Sequence, residues 1–97
     1  MSLHDEAQRG EMAADVLANP VYLEAYGLLE QEMITKWREA TNVEVRERLH
    51  LALKLLAKVR SVLESTMLSG KVSMATLEAE QSRLERIGGV FKRRLAA

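Results

Sequence analysis

The sequence predicts an all-α protein: a long antiparallel helical hairpin flanked by shorter N- and C-terminal helices, built to assemble as an oligomeric helical bundle. Three observations carry that expectation. Val45, Leu49, Ala52, Leu56, Val59 and Leu63 alternate steps of four and three, the seam of a packed helix pair. A second apolar line, Leu51, Leu53, Leu55 and Val62, runs beside this seam. A helix with one covered and one wet face needs only one such line, so this helix is expected to be covered on more than one side, by its own chain or by another copy. Composition agrees: one Pro, five Gly and 4 % aromatic residues favour helices over a sheet.

The 97 residues form a single helical domain, with a hairpin core over 20–69 and a basic segment over 88–97 that reads as a docking segment or a mobile tail. The first helix is expected from Ser2 to Ala18. Ser2 can cap it, and Asp5 and Glu6 lie where the helix dipole favours acids. Its stripe of Leu3, Ala7, Met12, Ala13, Val16 and Leu17 is weak near the start, where fraying is expected. Asn19-Pro20 is the clearest punctuation: Asn19 suits an N-cap and Pro20 the first turn of a second helix.

That second helix extends to about Ala40, with Tyr22, Tyr26, Leu29, Met33, Trp37 and Ala40 on one stripe. Gly27 interrupts it at a cost on the order of 1 kcal/mol relative to Ala. Thr41 and Glu44 match a capping box that opens the third helix. Gly70 is expected to stop this helix, giving it a length of roughly 40 Å. The short link between the two helices demands an antiparallel hairpin. Ser73 then caps a fourth helix over about Met74–Ile87, and Gly88-Gly89 breaks or hinges the chain.

The chain has no Cys, which excludes disulfides and thiolate metal sites, and it has no apolar run long enough to span a membrane. A cytoplasmic setting, bacterial or virion-associated, is the expectation. Net charge is zero but uneven: residues 1–32 carry seven acids against Arg9, while Arg83, Arg86, Lys92, Arg93 and Arg94 face only Glu85 over residues 83–97. This polarity can tie the chain ends together, orient neighbours in an oligomer, or present a basic tip to nucleic acid.

Nothing indicates an enzyme, and no cofactor is called for. Ser2, Thr41, Ser69 and Ser73 fall at expected helix caps, no nucleophile with a base beside it can be named, and the glycines form no phosphate-cradling loop. Glu47 and His50 share the Glu-x-x-His spacing of di-iron bundles, but the seam register turns Glu47 away from the core. A solvated helix surface explains the pair. Tyr22 and Tyr26, at the open end of the hairpin, serve equally as interface anchors or core; Trp37, near its turn, reads as core. Tyr22, Tyr26, Leu51, Leu55 and Val62 are therefore the candidate interface residues, and the five basic residues above are the candidate nucleic-acid contacts.

Residues 17–70 resemble short helical proteins of tailed bacteriophages and prophages encoded near head and packaging genes. Leu17-Ala18-Asn19-Pro20, Tyr22, Ala25-Tyr26, Trp37, Arg46-Glu47-Arg48-Leu49, Leu53-Lys54-Leu55-Leu56, Arg60 through Leu63 and Gly70 carry the likeness. The resemblance implies a part in virion assembly or DNA packaging and transfers no catalytic residue. The expected function is thus a non-enzymatic, homo-oligomerising structural or adaptor protein that engages protein partners and no membrane. The alternative is a small nucleic-acid-binding subunit, like a small terminase subunit, acting through its basic C-terminal segment.

Overall fold

The computed structural model describes the backbone of residues 2–96 and the side chains of residues 2–90. The chain folds into three α-helices: α1 over Leu3–Ala18, α2 over Pro20–Glu39 and α3 over Val43–Ala96. No strand occurs among the described residues.

Local chemistry sets the helix starts. Ser2 Oγ accepts from Asp5 N at 3.1 Å and opens α1. Asn19 Oδ1 accepts from Val21 N at 2.9 Å and Tyr22 N at 3.1 Å, which with Pro20 in the first turn opens α2. Asn19 itself is extended, so a single residue separates α1 from α2. At α3 the cap is Asn42 rather than Thr41. Its Oδ1 accepts from Glu44 N at 2.8 Å and Val45 N at 3.4 Å, so the expected Thr41–Glu44 capping box does not form. Asn is at least as good a cap as Thr, and its position fits a helix that begins at Val43.

The largest correction concerns the C-terminal half. Gly70 does not end the third helix, Met74–Ile87 is not a separate element, and Gly88-Gly89 does not break the chain. One helix of 54 residues runs through all three places. No glycine adopts a positive φ, the geometry that a glycine stop requires. The seam supplies the reason for continuity. With Leu49, Leu56 and Leu63 at heptad position a, the same register places Gly70, Leu77 and Leu84 at a and Ser73 and Ile87 at d. At 1.5 Å per residue α3 spans about 80 Å, in line with the molecule's 84 Å long axis.

α1 packs on α3 in the opposite sense, with Glu6 beside Ser73 and Gly10 beside Gly70. This is where the chain is buried: Ala7, Gly10 and Ala13 of α1 and Gly70 and Ser73 of α3. A Cβ on either glycine would lie 2.5 Å from the other's Cα. The backbones meet because neither has a side chain there, which is the role of Gly70. Ser73, only 2 % exposed, donates from Oγ to Glu6 Oε2 at 2.6 Å and so has a partner for its buried hydroxyl. α1, with a start expected to fray, therefore carries the tightest contact among the described residues.

α2 contacts α3 differently. Arg46 Cζ lies 4.6 Å from the Trp37 ring centroid, and Arg60 Cζ lies 5.4 Å from that of Tyr26. No residue of α2 is buried. From Glu78 to Val90, α3 runs past the start of α1 and no residue is buried.

Candidate functional site

The sequence-predicted interface residues fall into two groups. Tyr22 and Tyr26 are half-buried one turn apart on α2, with ring centroids 6.0 Å apart and planes tilted by 47°. The Tyr22 hydroxyl is shielded from solvent without a hydrogen-bond partner. The Arg60 guanidinium sits over Tyr26 and also donates from Nε to Glu64 Oε1 at 3.2 Å. These aromatics seal one flank of the α2–α3 contact, as Trp37 does under Arg46 farther along.

Leu51, Leu55 and Val62 form the second group, exposed to 57, 59 and 52 % respectively. They lie along one side of α3, and none of the described residues covers them. Val59, placed in the seam by its spacing, is also more than half exposed, so the seam is open at that point. Leu49, Ala52, Leu56 and Leu63 are half-buried in it, and Leu53 of the second line is half-buried beside it. On α2, Val21 and Leu28 are more exposed still. Spacing along one helix does not reveal that these two flank the apolar side of another. The signal for them was their position one side away from Tyr26 and Met33, readable only once α2 and α3 are set side by side.

The small-residue contact of α1 was likewise missed. Its signal was the three-residue spacing of Ala7, Gly10 and Ala13, matched by Gly70 and Ser73 on α3. Small residues score poorly on any apolar stripe, yet they permit the closest backbone approach.

Arg83 and Arg86 are exposed on the free end of α3. The side chains of Lys92, Arg93 and Arg94 lie outside the described residues. Glu47 and His50 share an open recess with Trp37, Val43 and Arg46. Among the described residues no three His, Asp or Glu side chains are grouped to hold a metal ion.

A polar groove of about 330 Å³ runs between α1 and α3 and is lined by Glu6, Arg9, Lys58 and Val62 with hydroxyl residues including Ser61 and Ser65. Among the described residues the ionisable pair with a clear shift is Glu32 and Lys36 on α2. Lys36 donates to Glu32 at 2.8 Å, and this hydrogen bond together with the opposite charge holds the Glu32 carboxyl below its ordinary value and lifts Lys36. Both groups are fully exposed, so the pair adds little to stability. Whatever it adds is present above the ordinary carboxylate pKa and fades as pH falls through the lowered value.

No helix among the described residues is long and apolar enough to cross a membrane. Comparisons with protein-family models, curated proteins and solved structures find no match to this chain.

Proposed function

We propose that the protein is a non-enzymatic structural or adaptor module that works as a homo-oligomer. The observation that carries this reading is the amount of surface left open. The chain exposes 7877 Å², whereas a folded monomer of its 10.9 kDa mass exposes about 5,600 Å². Its radius of gyration, 22.8 Å, compares with about 12.5 Å for a compact domain of equal length. Among the described residues no large side chain is fully buried, while long apolar residues lie open on α2 and α3. Exposed apolar surface on this scale marks an interaction site.

In this reading α2 and α3 act as an antiparallel hairpin, which the paired positions Trp37–Arg46 and Tyr26–Arg60 support, and association supplies the core that one chain lacks. The resemblance of residues 17–70 to small phage proteins suggests virion assembly or DNA packaging as the setting. Light scattering coupled to size exclusion tests the proposal: a single species of two or more chains supports it, and a monomer across the micromolar range refutes it.

A second reading has one specific observation in its favour. Arg83 and Arg86 project from the unaccompanied end of α3, where a polyanion can reach them. Nucleic-acid binding there requires an affinity for duplex DNA that falls steeply with salt; no mobility shift at low salt removes it.

A further inference from the structure

The two sides of the α2–α3 contact are unequal. Counting from Leu49, Leu56 and Leu63 at position a, Arg46 and Arg60 occupy e, and they lie over Trp37 and Tyr26. In an antiparallel pair the e positions of both helices flank one side of the seam and the g positions the other. The e side is thus closed by two cation–π contacts.

The g side is open. It carries Leu55 and Val62 at g, Leu51 at c and Val59 at d. On α2, with Tyr26 and Met33 at a, Val21 and Leu28 fall at c, on the same side and at about the level of Leu55 to Val62. All six are more than half exposed. They form one apolar face shared by two helices.

The rim of that face is divided by charge. At the level of its apolar residues Glu24 borders it on α2 and Arg48, Lys54 and Lys58 border it on α3, while Glu32 is already paired with Lys36, and Glu44 and Glu47 lie beyond Leu51 at the start of α3. Laying α2 against the α2 of another chain, and α3 against its α3, would set like charges together, which is destabilising. Laying α2 against the other chain's α3 sets opposite charges together. We propose that a second copy of this chain closes the open side, with α2 of each copy against α3 of the other, about a two-fold axis parallel to the long axis.

The result is a four-helix bundle in which the two α3 helices run parallel. The excess exposed surface, about 2,300 Å² over the whole chain including the free end of α3, leaves room for the roughly 800 Å² that each partner buries in a standard interface. This arrangement rests on the oligomeric reading above and specifies its partner, face and orientation.

Solution mass of the full chain and its variants tests it. The wild type is expected to be a dimer, and Leu55→Arg with Val62→Arg a monomer of similar helical content, because each arginine would bury an unpaired charge. Leu84→Arg, on the free end of α3, leaves the mass unchanged. Because the double arginine variant can fail to fold, a charge exchange provides an independent arm. Lys54→Glu with Lys58→Glu weakens association by about ten-fold or more, and adding Glu24→Lys restores most of it. Spin labels at Glu47 and at Glu78 then give similar short distances between copies, as parallel α3 helices require.

A monomeric wild type overturns both this arrangement and the oligomeric reading. An oligomer indifferent to the arginine and charge variants overturns the arrangement alone. So does one in which the exchanged charges fail to rescue, or in which the labels at one site lie far apart.

Discussion

The contacts that α1 and α2 make with α3 differ in almost every respect. α1 meets α3 through Ala7, Gly10 and Ala13, some of the smallest side chains available, and buries all three. α2 brings Tyr22, Tyr26, Met33 and Trp37 to the same helix and buries none of them. Small residues let backbones touch, so little water remains between them. Large residues hold the axes apart and depend on something else to cover their flanks, here Arg46 and Arg60 on one side and none of the described residues on the other. Apolar volume brought to a contact is therefore a poor guide to burial. The distance of approach decides it.

The sharpest way to break the contrast is to fill the glycine contact. Gly70→Leu forces a side chain into the backbone of α1, where even a Cβ would lie 2.5 Å from Gly10 Cα. A loss of about 3 kcal/mol is expected, the upper end for overpacking. It should appear as a lower thermal midpoint, with fast amide exchange confined to α1. Ser73→Ala is milder, removing the hydroxyl from the Glu6 carboxylate at a cost of about 2 kcal/mol in urea denaturation. An equal loss in a Glu6→Ala background would mean that the hydrogen bond is not the cause.

Asn19→Ala tests the joint between the two contacts. The cap donates nothing to packing, and its removal is expected to cost about 1 kcal/mol. A glycine exchange then sharpens the comparison by sign. Gly27→Ala, with no atom within 4 Å of the added Cβ, should stabilise by about 0.5–1 kcal/mol, whereas Gly10→Ala should destabilise. Equal signs in chemical denaturation would refute the close contact. An effect of similar size is expected of Arg46→Ala, which should lose about 0.5–1 kcal/mol by uncovering Trp37, and should red-shift its fluorescence.

Much of the architecture was legible along the chain. Ser2, Asn19 and Pro20 act at helix starts through bonds to neighbours two or three residues away, so local spacing is enough to recognise them. The seam from Leu49 to Leu63 follows from the helical period in the same way. The candidate interface was legible in part: Leu51, Leu55 and Val62 stood out as an apolar line the seam did not need, while Val21 and Leu28 did not. Their meaning depends on which side of a second helix they border.

The glycines mark the boundary between the two kinds of information. Gly27, Gly70, Gly88 and Gly89 all sit in right-handed helix, and a local reading treats them alike, as weak points or stops. Helical propensity and the continuing heptad carry the chain through each of them. Only the packed structure distinguishes Gly70, because the space its missing side chain leaves is filled by Gly10, sixty residues earlier in the chain. Caps and periodicity are properties of neighbouring residues and can be read from their order. Close approach is a property of two distant surfaces, and it exists only when both are in place.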